Sequence, residues 1–169
     1  MIIAPVDSYD IGALTPGLPG TNAAIAMSSP TRVSSTLAGI TPGLAGTAEI
    51  VVGPEHTAPF VGSGRIAVLA TPVMINVIEA AALAAVEHLL PAGHQSLGIH
   101  LDVSHVAATP VGLRVTATAE VTHVEGRTIS FRVEAHDEFE TIGGGTHQRV
   151  VVSVARFDER VQRKVRGAG

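Results

Sequence analysis

The chain of 169 residues contains no cysteine. Disulfide bonds, thiolate metal sites and a cysteine nucleophile are therefore all excluded. A chain without cysteine also fits the reducing cytosol, where disulfides rarely form, and we expect a cytoplasmic protein.

Aromatic residues are scarce, at 3% of the chain, and tryptophan does not occur. Hydrophobic residues nevertheless make up 46% of the sequence, so the core has to be built from Val, Ile, Leu and Ala. A chain of this length can bury such a core in one domain without covalent cross-links.

Charge is also sparse. Charged residues make up 15% of the chain, and the net charge is -4 with histidine neutral. Basic residues cluster only in the short segment Arg160–Arg166. Because nucleic-acid binding normally needs an extended basic face, the composition argues against a nucleic-acid partner.

Neither a secretory signal nor a membrane span is predicted. The opening MIIAPVDSYD lacks a basic start, and glycine and proline interrupt the next residues. The longest apolar stretch, Val73–Leu90, contains Asn76, Glu79, Glu87 and His88. Charged residues near the centre of a helix disfavour a bilayer, so we expect no membrane association.

The composition divides the chain into three parts. Residues 1–40 are rich in Gly, Pro, Ser, Thr and Ala without a sustained period, which predicts a flexible low-complexity extension. Residues 41–160 carry regular hydrophobic patterns and are predicted to form the folded domain. Residues 161–169 are predicted to be a basic tail.

One long helix is predicted between residues 71 and 90. Thr71 is a favourable N-cap, Pro72 suits the first helical position, and Pro91 and Gly93 end the pattern. Apolar side chains recur at helical spacing within it: Met74, Val77, Ile78, Ala81, Ala85 and Leu89. Because this helix is apolar nearly all round, we expect it to be buried on most sides.

After the helix the hydrophobic period changes to two, which is typical of strands. Apolar and polar residues alternate in GLRVTATAEVTHV and RTISFRVEAHD, and strands are also predicted in AEIVV, SLGIHLDVSHVA and GGTHQRVVVSVARF. Long alternating strands indicate antiparallel pairing with one buried face. A long apolar helix and an antiparallel meander pack most simply if the sheet curls around the helix, which is the α+β hot-dog architecture.

Three polar residues in this apolar framework are candidates for chemistry. Glu79 lies mid-helix, where a carboxylate is either partly exposed at the helix margin or directed at a reacting group. His105 ends a strand before a turn, and it serves either the structure or proton transfer. Thr71 is explained by capping alone, although a helix N-terminus also suits a developing oxyanion.

No metal or cofactor is predicted. The chain has 8 histidines but no HxH or HExxH pattern, and His56, His100, His136 and His147 lack the spacing of a metal site. The glycine-rich GSGR and GGGTHQR match neither a P-loop nor a dinucleotide fingerprint. They either make turns or let a ligand approach the backbone.

Three patterns are distinctive in combination: ATP followed by a glutamate on the same helix, HxAATPxG, and GxGTHxR. They lie in VGSGRIAVLATPVMINVIEAAALAAV, SLGIHLDVSHVAATPVGLRVTATAEV, EGRTISFRVEAHDE and IGGGTHQRVVV. Over about residues 40–160 the chain thereby resembles the fluoroacetyl-CoA thioesterase-like branch of the hot-dog thioesterases. The resemblance implies an enzyme that hydrolyses an acyl-CoA thioester without a cofactor.

The resemblance also implies roles for particular residues. It places the family's catalytic residues on Thr71, Glu79 and His105, and substrate-binding residues on Gly98 and Arg149. Glu79 is expected to be the nucleophile or the general base, and His105 to orient water or protonate the leaving thiolate. Thr71 is expected to hold the carbonyl oxygen, and Arg149 to anchor a polar part of the substrate.

The stretch before Thr71 departs from the family pattern. The fluoroacetyl-specific enzyme carries aromatic residues there as a lid, whereas GSGRIAVLA contains none and the nearest aromatic residue is Phe60. The resemblance therefore supports hydrolysis of a small or medium acyl-CoA more than selectivity for the fluoroacetyl group.

The spacing of Thr71 and Glu79 predicts a homodimer. Eight positions on one helix separate their Cα atoms by about 12 Å along the axis, which is too far for both side chains to reach one carbonyl. Antiparallel pairing of two such helices about a two-fold axis brings Thr71 of one chain near the partner's Glu79.

Two other functions fit the same patterns. A hot-dog enoyl-thioester hydratase or dehydratase also commonly pairs an acidic residue with a histidine, although Thr71 and the HxAATPxG context speak against it. The second alternative is a non-catalytic acyl-CoA-binding domain, which would bind acyl-CoA without hydrolysing it.

Overall fold

A computed structural model describes residues 37–167 of the chain, so most of the extension expected over residues 1–40 lies outside the described residues. The elements in chain order are β1 (Ala45–Val51), α1 (Ala58–Val61), α2 (Thr71–Val86), β2 (His94–His105), β3 (Arg114–Glu125), β4 (Thr128–His136), β5 (Thr141–Ser153) and α3 (Val154–Gly167). Short 3-10 turns at Pro54–His56 and Glu87–Leu89 flank α1 and α2.

The strands form one sheet in the order β1-β3-β4-β5-β2, and every neighbouring pair is antiparallel. The two strands that enclose α2 in the sequence, β1 and β2, therefore lie at opposite edges of the sheet. The described helix α2 packs mainly against β1, β3 and β4. A sheet curled around one long helix is the predicted architecture.

The core confirms the alternation in the two central strands. Val115, Ala117, Ala119 and Val121 of β3 are all fully buried, as are Ile129 and Ala135 of β4. Phe131 and Val133 of β4 are almost fully buried beside them. The polar residues between these positions face away from the helix, because side chains of a strand alternate between its two faces.

Small residues let the helix approach the sheet closely. A Cβ atom on Gly46 of β1 would overlap the backbone of Ala85 in α2. Ala81 and Ala82 of the helix are fully buried nearby. Short side chains on both surfaces shorten the distance between helix and sheet, which is how a core poor in aromatics reaches normal packing density.

Helix α2 is buried along one face rather than on most sides. Its buried residues are Met74, Val77, Ile78, Ala81, Ala82, Ala85 and Val86. Asn76, Ala80 and Ala84 on the opposite side are exposed. The segment Thr71–Leu89 is long and apolar enough to span a membrane by length and composition alone, and packing against the sheet accounts for that composition.

The start of α2 corrects one prediction. Ala70, not Thr71, is the N-cap, and its extended backbone (φ -75°, ψ 138°) precedes the first helical residue, Thr71. The amides of Val73 and Met74 both donate to the Ala70 carbonyl. The Thr71 hydroxyl does not cap the helix and is available for another partner.

The C-terminal part of the chain corrects a second prediction. The strand expected to continue to Phe157 ends at Ser153, and residues 161–167 of the expected tail belong to helix α3. Val154, Phe157, Val161 and Val165 recur at helical spacing, a pattern that the alternating valines before them obscure.

The packed part of the chain also begins earlier than residue 41. Leu37 and Ile40 are 5% and 4% exposed and belong to the hydrophobic core.

Removal of residues 1–42 should therefore lower the melting temperature more than removal of residues 1–35. Leu37→Ala alone should reduce the free energy of unfolding by about 2–5 kcal/mol, as expected for a truncated core leucine.

The exposed Val165 of α3 provides a matched control, because Val165→Ala removes apolar atoms without opening a cavity. Thermal and urea unfolding measure both effects. Equal stability of the two truncated chains would show that Leu37 and Ile40 contribute nothing to the core.

Candidate active site

The first cluster of candidate residues joins the start of α2 to the end of β2. Thr71 Oγ1 lies 2.9 Å from His105 Nδ1, a hydrogen-bond distance. The turn after His105 holds this arrangement, because the Leu69 amide donates to the Thr109 carbonyl and Val68 forms a bridge with Pro110. Backbone contacts of the AATP segment, residues 107–110, therefore link the residues before Thr71 to the residues after His105.

The imidazole of His105 is half-buried, and its second nitrogen is enclosed by the protein. Burial lowers the pKa of His105, and a hydrogen bond with the backbone of Ala107 partly opposes that shift. Nε2 is buried and has no hydrogen-bond partner in the described part of the chain. Because Nε2 is enclosed, the nitrogen of this neutral imidazole that can exchange a proton with a ligand is Nδ1, through the Thr71 hydroxyl that lines the cleft.

An open cleft of about 330 Å³ adjoins this pair. Besides Thr71 and His105, its walls include Ala58, Ser63, Val68, Leu69, Val106 and Ala107. Phe60 does not line it and is 71% exposed. The cleft thus presents small side chains next to the catalytic candidates, as expected from the missing aromatic lid.

The second cluster surrounds Glu79, two turns further along α2. Its Oε1 lies 3.4 Å from Arg149 Nη1 and 3.8 Å from His147 Nε2, both on β5. The side chain of Glu79 is 35% exposed, so its carboxylate faces both the protein and the outside. Glu79 is therefore partly exposed, as both interpretations from the sequence allow, and its charged partner Arg149 lies on the protein side.

Gly98 is required by the position of the Glu79 carboxylate. A Cβ atom on Gly98 would overlap Glu79 Oε1 and would lie 3.2 Å from the ring of His147. The register of β2 with β5 shifts between Gly98 and His100, so a bulge lies at this point. The glycine lets the carboxylate pack directly on the strand backbone.

Arg149 is 4% exposed and makes its hydrogen bonds inside the protein. Its Nε donates to Ser96 Oγ at 2.9 Å, and its Nη2 donates to the Ser96 carbonyl at 2.9 Å. Ser96 Oγ in turn donates to Glu87 at 2.7 Å. Burial lowers the pKa of Arg149, whereas Glu79 and Glu87 raise it, so both carboxylates balance the buried cation.

The sequence assigned no role to His147, which is fully buried beside Arg149. From the sequence we infer only that His147 lacks the spacing of a metal ligand. The usable signal was its position two residues before Arg149 on one strand, because such residues face the same side. Ser96 and Glu87 were missed as well, and no sequence pattern connects them.

The structure brings the five predicted residues into two groups rather than one. Thr71 and His105 form the first group, and Glu79, Gly98 and Arg149 form the second. Glu79 does not line the cleft beside His105. Within residues 37–167, no cluster of three or more His, Asp or Glu side chains is placed to hold a metal ion.

Known proteins share this fold and are similar to this chain in sequence. The chain is 46% identical over 97 residues to the fluoroacetyl-CoA thioesterase of Streptantibioticus cattleyicolor, which covers 57% of this chain and 70% of that protein. A solved fluoroacetyl-CoA thioesterase superposes with a TM-score of 0.71 at 39% identity, covering 74% of this chain and 97% of that one. Other structures of that enzyme contain fluoroacetate or acetyl-CoA.

A thioesterase superfamily member from Thermus thermophilus superposes with a TM-score of 0.70 at 29% identity, covering 75% of this chain and 94% of that one. The curled five-stranded sheet, its central helix and these structural relatives define a hot-dog thioesterase. The model of the fluoroacetyl-CoA-specific thioesterase family matches residues 52–155, more than half of the chain. The protein belongs to that family and is a thioester hydrolase.

The packing of Glu79 on Gly98 predicts the effect of a single methyl group. Gly98→Ala should displace the Glu79 carboxylate and lower kcat by roughly 10²-fold, the scale of loss expected from misplacing a reacting group by about 1 Å. Gln95→Ala, at an exposed position of the same strand, is the matched control and should retain activity. Wild-type kcat in a folded Gly98→Ala variant would refute the close-packing argument.

Proposed function

We propose that this thioesterase hydrolyses the thioester of a small or medium acyl-CoA, with Glu79, His105 and Thr71 as catalytic residues. The observation that carries the proposal is the carboxylate of Glu79. One oxygen is held by Arg149, and the other has no hydrogen-bond partner among residues 37–167. A carboxylate fixed on one side and open on the other is suited to attack or to proton abstraction.

Hydrolysis requires an oxygen to attack the thioester carbonyl carbon while the C–S bond breaks. Glu79 supplies this oxygen directly, forming an anhydride that water then opens, or it removes a proton from the water that attacks. In either route the departing sulfur takes a proton, and the neutral imidazole of His105 is placed to relay one. The hydroxyl of Thr71 and the positive end of the α2 dipole stabilise the negative charge on the carbonyl oxygen.

We further propose that the enzyme is a homodimer with sites shared between chains. Glu79 and Thr71 are about 12 Å apart along one helix, and of the three proposed catalytic residues Thr71 and His105 line the cleft whereas Glu79 does not. Helix α2 exposes Asn76, Ala80 and Ala84, a face small enough for a second helix to approach. An antiparallel pair of α2 helices brings each Thr71 to the partner's Glu79.

The open edge of the sheet supports the same assembly. Strand β2 is an edge strand, and Ile99 on it is 54% exposed. Unpaired edge strands invite pairing with another chain. Pairing of β2 with the same strand of the partner would extend the sheet and cover both the edge and the exposed face of α2.

The walls of the cleft support a small or medium aliphatic acyl group. Ala58, Val68 and Leu69 present aliphatic surface, and no aromatic side chain lines the cleft.

A panel of acetyl-, propionyl-, butyryl-, hexanoyl- and fluoroacetyl-CoA would rank the substrates. We expect no strong preference for fluoroacetyl-CoA over acetyl-CoA beyond the intrinsic reactivity of the fluorinated ester.

Replacement of Glu79 tests the chemistry. Glu79→Gln keeps the shape of the side chain but removes its charge, so turnover should fall by orders of magnitude while the protein stays folded. His105→Ala should lose about 10²–10⁴-fold, the usual contribution of general acid–base catalysis. Release of free CoA, detected with a thiol reagent, measures both. A fully active Glu79→Gln variant would eliminate Glu79 as a catalytic residue.

Subunit exchange tests the shared site. Thr71→Val and Glu79→Gln chains, each inactive alone, should regain activity when mixed, because a mixed dimer contains one site with both native residues. Random exchange makes about half of the dimers mixed, each with one working site. Mass spectrometry of isotopically labelled chains confirms the exchange. Complete exchange without recovered activity would place the site within one chain.

A further inference from the structure

We propose that His147 is a positioning residue that limits the contact between Arg149 and Glu79 to one oxygen of the carboxylate. The inference rests on the proposed function, because it assigns Glu79 its chemistry. His147 itself is fully buried and is not part of the cleft beside Thr71 and His105.

The hydrogen bonds of His147 define which ring nitrogen carries the proton. Nδ1 lies 2.8 Å from the carbonyl oxygen of His100. A carbonyl oxygen only accepts, so Nδ1 must be the donor. In a neutral ring, Nε2 then carries a lone pair and can only accept.

The partner of that lone pair is the guanidinium of Arg149. Nε2 of His147 lies 3.3 Å from Arg149 Nη1, whose N–H groups only donate. A proton on Nε2 would oppose an N–H to an N–H and place a second cation against a buried one. The geometry therefore requires a neutral His147 that accepts from Arg149.

Arg149 consequently divides its donors among fixed acceptors. Nε and Nη2 are directed at Ser96, while Nη1 is shared between His147 and Glu79. With the ring present, Nη1 donates one proton to the imidazole and one to Glu79. Without the ring, the nearest acceptor for both protons of Nη1 would be Glu79, whose Oε1 lies 3.4 Å from Nη1.

Stronger pairing with Arg149 would impair the chemistry of Glu79. A carboxylate that accepts additional charge-assisted hydrogen bonds is stabilised as the anion and becomes a weaker base and nucleophile. By accepting one proton of Nη1, His147 leaves the second oxygen of Glu79 open to substrate or water.

The surroundings of His147 keep it neutral and oriented. Burial is the largest influence on the pKa of His147 and lowers it, and the charges of Arg149 and His100 lower it further. The hydrogen bond to the His100 carbonyl and the charge of Glu79 act in the opposite direction, but the net shift is downward. These groups face the ring from α2, β5 and β2. The ring of Phe131 on β4 stacks against it with centroids 6.0 Å apart.

Two substitutions separate the acceptor from the packing. His147→Leu fills similar space without an acceptor, whereas the amide oxygen of His147→Gln can occupy the position of Nε2. We expect kcat of His147→Leu to fall by about 10²-fold with little change in KM, because the ring does not touch substrate. The acidic limb of its kcat profile should move to lower pH, and His147→Gln should restore most of both.

His123→Leu, at an exposed position of β3, is the matched control and should behave as the wild type. Equal kcat values and pH profiles for His147→Leu and His147→Gln would overturn the proposal, as would a loss expressed only in KM. If the wild type hydrolyses acyl-CoA and the His147→Leu variant has the same kcat and pH profile as the wild type, only this inference fails. A wild type without hydrolysis contradicts the proposed function instead.

Nitrogen-15 NMR of the folded wild type provides a test that is independent of turnover and of the stability of any variant. We expect a protonated Nδ1 and an unprotonated Nε2 for His147 above about pH 6.5, the ordinary pKa of a histidine, because burial lowers the pKa of this ring. An imidazolium or a ring protonated at Nε2 in that range would refute the assignment of His147 as an acceptor.

Discussion

A buried guanidinium at the inner face of the sheet imposes the arrangement of the residues around it. Arg149 is 4% exposed, and a buried charge is costly unless it is paired and hydrogen-bonded. Ser96 satisfies two of its nitrogens, while Glu79 and Glu87 supply negative charge from the helix side. The same contacts that compensate the burial of Arg149 also fix the position of the carboxylate assigned to catalysis.

This constraint explains why α2 and the 3-10 turn that follows it each carry an acidic residue facing the sheet. The chain has few charges, and α2 is otherwise almost entirely apolar. Glu79 and Glu87 lie two turns apart, on the side of the helix that meets the edge of β2 and β5. The bulge after Gly98 and the missing side chain at that position give the carboxylate room to reach the guanidinium. Glu79, the residue that compensates the buried charge, is therefore also the one proposed to carry the chemistry.

The predictable part of the fold was the part with strong periodicity. Alternation marked β3 and β4, and helical spacing with flanking prolines marked α2, because both elements bury one regular face. The prediction was wrong where local signals compete. Thr71 has the chemistry of an N-cap but hydrogen-bonds His105, and the valines that end β5 conceal the start of α3. Leu37 belongs to the core although its surroundings are rich in small polar residues.

The sequence by itself determined the fold class, the family and the identity of Thr71, Glu79 and His105 as candidates, because these depend on short-range patterns and motifs. Only the tertiary structure decided which residues meet. It paired Thr71 with His105, placed Arg149 against Glu79, and brought in His147 and Ser96, which lie on different strands. Strand order and register determine such contacts between distant residues, and neither can be read from the spacing along one chain.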